Sequence, residues 1–228
     1  RQGEQSYVDD RRFFFDAAGH RNPLAELRAT LSHFEAQPQR RCDYPARAQW
    51  LQERGLLASA DTDCADYQQW RQRLDVQQVS LVLAASYLNS PSSMYGHTFL
   101  RFTPGGDRGS SDFLAYALNF GANIPAGEND LLYAYRGLFG GYPGLFSMQP
   151  YYQKIQEYSR LENRDMWEYR LDLNAREMDR LLQHVWELRD INFDYFFFDE
   201  NCSFRLLELL EVARPGIDLT SPFEHAAL

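Results

Sequence analysis

A cysteine near the C-terminal end of the chain lies where nucleophilic chemistry is favoured. Cys202 directly follows Asn201, a good N-cap residue, so the sequence predicts the thiol in the first turn of a helix. Unsatisfied N–H groups and the positive end of the helix dipole favour a thiolate there. The alternative is an inert buried thiol, because free cysteine is among the most often buried residue types.

A nucleophilic thiol needs a general base, and His97 is the best placed of the five histidines. It follows Gly96 and lies between a Ser/Gly turn and an apolar run, at the predicted start of a strand. A histidine in this position can also be purely structural. A base at a strand start and a thiol at a helix start are, however, the two parts of a papain-type dyad. In this chain the histidine comes first.

Two parts of the chain are expected to position this pair. Residues 1–75 predict a helical N-terminal segment, in which Asn22 caps a helix that begins at Pro23. Residues 76–228 predict the catalytic domain. Its strands are expected at 79–85, 98–102, 113–120 and 167–173, and its helices after Asn174 and over 202–213.

A stretch rich in Gly, Tyr and Phe interrupts this second part. Residues 121–150 predict irregular chain of the kind that forms a binding loop or lid. The aromatic residues of 137–152 either hold an acyl chain or belong to the core.

The other two cysteines predict a disulfide. Cys42 and Cys64 lie among polar, loop-like residues, without the CxxC spacing or neighbouring histidine of a zinc site. A bridge between them is the first expectation, and two unrelated thiols are the alternative. No metal and no cofactor are expected.

Charge and hydropathy exclude two classes of partner. The net charge of −9, without a long Lys/Arg stretch, argues against nucleic-acid binding. The longest apolar stretch, residues 79–87, is too short for a membrane-spanning helix. The N-terminus fits either a cytoplasmic protein or a mature exported one.

Several longer strings resemble one family, the Lnb N-terminal periplasmic domain. They are SPSSMYGHTFLRF, LNFGA, GLFGGYPGLFS, YYQKIQEYSRLENRDMWEYRLDL and FDENCSFRLLELLEVARP, between about residues 76 and 215. The resemblance implies export, with a periplasmic or outer-membrane-associated location. It also implies an α+β, permuted papain-like fold, similar to NlpC-type peptidases and lecithin:retinol acyltransferase, with a small antiparallel sheet.

The resemblance also implies roles for individual residues. His97 becomes the base and Cys202 the nucleophile. A group on the strand after the histidine strand orients the imidazole, and Asn119 is the first candidate and Tyr116 the second. The candidates around the oxyanion are the backbone N–H of Cys202 or Ser203, the neighbouring Asn201, and a group near Tyr87 or Ser93.

The function implied is that of an exported thiol acyltransferase or lipid hydrolase that forms an acyl-enzyme, since the family's name-giving member is a lipoprotein N-acyltransferase. The expected partner is a phospholipid or lipoprotein substrate at the membrane surface. The second hypothesis is a cysteine peptidase or amidase of the same fold that acts on the cell wall or on proteins. A non-catalytic lipid-binding scaffold with an inert Cys202 is the third.

Overall fold

The computed structural model describes residues 5–60, 62–85, 96–106, 111, 113–123, 142–157, 165–195 and 201–223. Within these residues the chain forms six α-helices and one open antiparallel sheet of six strands, which confirms the α+β class. The helices are α1 Pro23–Ala36, α2 Pro45–Glu53, α3 Ala65–Leu74, α4 Tyr151–Ile155, α5 Ala175–Glu187 and α6 Cys202–Ala213. The strands are β1 Val76–Ala84, β2 His97–Pro104, β3 Tyr116–Ala122, β4 Tyr142–Pro150, β5 Met166–Arg170 and β6 Phe193–Tyr195.

The sheet runs in the order β5-β1-β2-β3-β4-β6. β1 pairs antiparallel with β2 on one side and with β5 on the other. Because Ala84, the last residue of β1, lies opposite His97, the histidine stands at one end of the sheet. The next strand, β3, pairs with β2 through Leu100 and Leu118.

The main core lies between the sheet and the pair of helices α5 and α6. Apolar side chains at helical spacing face inward on both helices, and those of the middle turns are completely buried: Leu181, Leu182, Leu206 and Leu209. They pack with Leu100 and Leu118 from the central strands. Burying a leucine contributes about 1.5–3 kcal/mol, so this layer holds α6 firmly on β2 and β3.

The N-terminal segment adds to this same core. Helix α1 begins at Pro23 after the cap Asn22, as predicted, and α2 and α3 lie within the segment predicted to be helical. Phe34 and Leu51 pack into the main cluster. Trp186 of α5 donates its indole N–H to the carbonyl oxygen of Cys42 at 2.9 Å. Cys42 is bonded to Cys64, with Cα atoms 5.2 Å apart, so the predicted disulfide is confirmed and ties the segment together.

The expectation of irregular chain throughout residues 121–150 is wrong at both ends, where β3 extends to Ala122 and β4 covers Tyr142–Pro150. β4 is a central strand between β3 and β6. Its Pro-Gly pair made it look like a loop, but Gly144 is where two strands approach closely. A Cβ atom there would lie 2.5 Å from the ring of Phe120, which explains a glycine inside a strand.

The described aromatic residues of the stretch 137–152 include three core side chains. Tyr142, Phe146 and Tyr151 are each at most 5% exposed. For these residues the core interpretation holds. Residues 124–141, where the rest of the expected loop falls, lie outside the described part of the chain.

Candidate functional site

The thiol of Cys202 lies at the first residue of α6, as its sequence position predicts. Asn201 is the N-cap, and its side-chain oxygen accepts hydrogen bonds from the backbone N–H groups of Ser203 at 3.1 Å and Phe204 at 3.2 Å. Asn201 is 9% exposed, so the cap is held rigidly. The sulfur therefore sits at the positive end of a well-formed helix.

His97 comes to the thiol because the start of β2 packs against the start of α6. The charge of the His97 imidazole and its hydrogen bonding lower the pKa of the Cys202 thiol, so the two side chains act on each other. The backbone of the next residue, Thr98, lowers the same pKa. The structure thus brings together the two residues that the sequence pairs as a dyad.

The thiol of Cys202 is set to ionise near neutral pH. Burial by itself raises the pKa, but the charge of His97 and its hydrogen bond act in the opposite direction and outweigh burial. Hydrogen bonds from the backbone of Thr98 and the side chain of Ser203 lower the pKa further. The net result is a Cys202 pKa lowered to about 7.

Asn119 holds the other side of the imidazole. Its Oδ1 lies 3.3 Å from Nε2 of His97, where it can accept the ring N–H and hold the orientation of the imidazole. Asn119 is 5% exposed, and its Nδ2 has no hydrogen-bond partner. A buried N–H group without a hydrogen-bond partner costs free energy. This cost fits a residue whose role depends on its side-chain oxygen.

Tyr116, the second candidate for this position, is not brought to the site. It lies three residues before Asn119 on β3, so the two side chains leave opposite faces of the sheet. Tyr116 packs against the main core, beneath the helices.

The oxyanion candidates divide between the described and undescribed parts of the chain. The N–H of Ser203 is occupied by the cap, whereas the N–H of Cys202 belongs to the first helical residue, for which the helix supplies no acceptor. Cys202 is therefore the better backbone donor of the two. Tyr87 and Ser93 lie outside the described residues.

Sequence reasoning missed one residue of the site, Thr98. Its Oγ1 lies 2.8 Å from Oγ of Ser203, so a hydroxyl pair joins β2 to α6 beside the sulfur. The signal was present as a hydroxyl residue directly after the histidine. Nothing local in the sequence ties that hydroxyl to a serine on a distant helix.

In the residues that the structure describes, no helix has the length and apolar character needed to cross a membrane. Across the same residues, His, Cys, Asp and Glu side chains form no group that could hold a metal ion. The side chains described at the site are a thiol, an imidazole, an amide and two hydroxyls, from Cys202, His97, Asn119, Thr98 and Ser203.

The model of the Lnb N-terminal periplasmic domain family matches residues 66–227. A second model, for a domain of unknown function (DUF7843), matches residues 1–54. No curated protein and no solved structure gives a significant match. A periplasmic domain supports an exported location, and the disulfide agrees with an oxidising compartment. Because the first match covers most of the chain, this protein belongs to the Lnb N-terminal periplasmic domain family.

Proposed function

We propose that the protein is an exported Cys–His enzyme that transfers or hydrolyses acyl groups through an acyl-enzyme on Cys202. The observation that carries the proposal is the arrangement around the sulfur. A thiol with a pKa of about 7 lies at a helix start, where the imidazole of His97 lowers its pKa, and the buried amide of Asn119 contacts that imidazole. These are the parts of an activated cysteine nucleophile.

The geometry supports a two-step acyl transfer. The thiolate of Cys202 attacks the carbonyl carbon of an ester or amide, a C–S bond forms, and the carbonyl oxygen takes the negative charge near the N–H of Cys202. The imidazolium of His97 then gives its proton to the leaving oxygen or nitrogen. In the second step His97 takes a proton from an amine or water, which attacks the thioester and releases the thiolate.

We assign this arrangement to a permuted papain-like fold. The support is the order of the parts: the histidine strand β2 precedes the cysteine helix α6, and the orienting amide lies on the next strand, β3. The strand pairs of the described sheet are antiparallel, as such a fold requires.

The substrate that family membership favours is an acyl lipid, either a phospholipid or a lipoprotein at the membrane surface, and N-acylation of lipoproteins is the reaction we favour. A cysteine peptidase of the cell envelope would use the same dyad on a peptide carbonyl. The two functions differ in what becomes attached to the sulfur.

Acyl-enzyme formation can be tested with p-nitrophenyl acetate and p-nitrophenyl octanoate. Intact-mass spectrometry should show one acyl group on the wild-type protein, and peptide mapping should place it on Cys202. Cys202→Ala should take up none. His97→Ala should slow p-nitrophenol release by about 10²–10⁴, the usual contribution of general acid–base catalysis. His33→Ala, which removes an exposed imidazole on α1, should match the wild type.

Natural substrates then separate the candidate functions. Phospholipid vesicles should leave a fatty acyl group on Cys202, whereas a peptidase would leave the sulfur unmodified by lipid and would cleave cell-wall peptides. Acylation outside Cys202, or equal rates in the wild type and His97→Ala, would contradict the enzyme altogether and favour the lipid-binding scaffold.

A further inference from the structure

A cavity of about 680 Å³ lies on the N-terminal segment, and its lining residues all fall between positions 9 and 21, before α1. None of them belongs to the candidate site around Cys202. We propose that this cavity binds a phosphate group that carries an apolar substituent. Phospholipid headgroups and soluble phosphate esters share this chemistry.

Two guanidinium groups that lack an acidic partner line the cavity. Arg11 and Arg21 are both exposed, and within the described part of the chain neither forms an ion pair with a carboxylate. Arg11 donates to the carbonyl oxygen of Ala17 at 3.3 Å, which leaves its other N–H groups available. The planar fork of a guanidinium matches the oxygens of a phosphate, so the pair favours this anion.

The two carboxylates of the lining are already engaged. Oδ2 of Asp9 accepts from the guanidinium of Arg205 at 2.9 Å and from the backbone N–H of Asp194 at 3.1 Å. Oδ1 of Asp16 accepts the backbone N–H of Ala18 at 2.7 Å. Because Arg205 balances the charge of Asp9, the two free arginines face only the charge of Asp16, and the lining attracts an anion.

The loop that forms the cavity is held in one shape by a carboxylate of α1. Glu26 accepts the backbone N–H of Phe15 at 3.0 Å and that of Asp16 at 2.9 Å. A Cβ atom at Gly19 would lie 2.3 Å from Oε2 of Glu26, so only a glycine lets the loop close over this carboxylate. A site formed in advance loses less conformational entropy when a ligand binds.

An apolar wall completes the cavity. The ring of Phe14 is half-buried and packs edge-on against the ring of His20, with centroids 5.8 Å apart. The methyl groups of Ala17 and Ala18 lie on the same lining. The volume falls within the range of about 300–1,000 Å³ that small-molecule sites occupy, so there is room for a substituent beside the phosphate.

Calorimetric titration of the full chain with phenyl phosphate and inorganic phosphate tests the site. Phenyl phosphate should bind about tenfold more tightly, because its ring is removed from water against Phe14. Arg11→Gln and Arg21→Gln should each weaken phenyl phosphate binding by about tenfold, as loss of a hydrogen bond to a charged group does. Arg28→Gln, at an exposed arginine of α1 outside the cavity, should bind like the wild type.

Phe14→Leu separates the apolar wall from the charges. It should reduce the preference for phenyl phosphate over inorganic phosphate and leave the binding of inorganic phosphate unchanged. Melting temperatures of all variants check that a loss of binding is not a loss of folding.

Vesicles of phosphatidylglycerol distinguish the two sources of the phosphate. Sedimentation with these vesicles that Arg11→Gln abolishes would assign the cavity to a lipid headgroup, whereas binding of phenyl phosphate without sedimentation would assign it to a soluble ester. The proposal is overturned if phenyl phosphate does not bind, or if Arg28→Gln weakens its binding as much as the two cavity variants do.

Discussion

At the scale of single residues, the amide of Asn119 is the part of the site whose role is most open to measurement. Its oxygen lies 3.3 Å from Nε2 of His97 and holds the imidazole in place. Asn119→Ala removes this acceptor, so the imidazole can turn away. Acylation by p-nitrophenyl acetate should slow by about tenfold or more, a part of the 10²–10⁴ that general acid–base catalysis supplies.

The matched variant is Asn119→Asp, which keeps the acceptor and replaces the unpartnered Nδ2. Its carboxylate oxygen can still accept from His97, so the acylation rate should stay near the wild-type rate instead of falling as in Asn119→Ala. Asn119→Ala with a wild-type rate, measured as a burst of p-nitrophenol across the pH range, would remove Asn119 from the machinery.

The sequence was informative about the proposed dyad and poor about the side chains around it. Cys202 and His97 stand out because a cap residue and a strand start each leave a local pattern. The choice of Asn119 over Tyr116 follows from strand parity once the limits of β3 are known. The hydroxyl pair of Thr98 and Ser203 has no local pattern, because it depends on how β2 meets α6.

At the scale of elements, the start of α5 and the end of α6 are joined by an ion pair. Both carboxylate oxygens of Glu177 accept from the guanidinium of Arg214, at 2.6 and 2.7 Å, and one also accepts the N–H of Asn174 in a capping box. The hydrogen bond from Arg214 and that from Asn174 lower the pKa of Glu177 to about 2.

This pair should give a measurable dependence of stability on pH. The folded state favours the Glu177 carboxylate, so its stabilisation is full above the ordinary pKa of 4.5 and is lost as the pH falls toward 2. Glu177→Gln should lower the melting temperature at pH 7 by roughly 2–4 °C, as about 1 kcal/mol does in a chain of this size.

Thermal unfolding should show the difference between the wild type and Glu177→Gln shrinking between pH 5 and pH 2. Glu35→Gln removes an exposed carboxylate from α1 and serves as the control for net charge. A difference that is undiminished at pH 2 would show that the ion pair is not its cause.

Elements with strong local signals were predictable, and those defined by their neighbours were not. The caps at Asn22, Asn174 and Asn201 each hold a helix start, as their sequence positions predict. β4 was missed because its proline and glycine suit a turn, and only its place between two strands makes it extended. β6 has three residues, too few for any periodicity.

At the scale of the whole molecule, the N-terminal segment and the part of the chain that carries His97 and Cys202 share one core. Arg205 of α6 is fully buried, and its guanidinium donates to the carbonyl oxygen of Tyr7 at 2.8 Å and to Asp9 at 2.9 Å. The helix that carries the thiol is thus tied directly to the start of the described chain. The sequence pattern predicts two regions, residues 1–75 and 76–228. It cannot predict this contact between them, because contacts between distant residues leave no periodicity in the sequence.

A shared core predicts that damage to the N-terminal segment reaches the dyad. Leu51 of α2 is 1% exposed within the main cluster, so Leu51→Ala should cost about 2–5 kcal/mol in the free energy of unfolding. Leu56→Ala, at a leucine that is 46% exposed, should change the free energy of unfolding by less than about 0.5 kcal/mol.

Urea unfolding should be followed by circular dichroism and by the labelling rate of Cys202 at pH 6, which falls when the dyad separates. Both probes should report one transition, shifted together by Leu51→Ala, because the segment and the dyad unfold as one unit. An early transition seen by circular dichroism alone, with Cys202 labelling as in the wild type, would instead make the segment an independent unit.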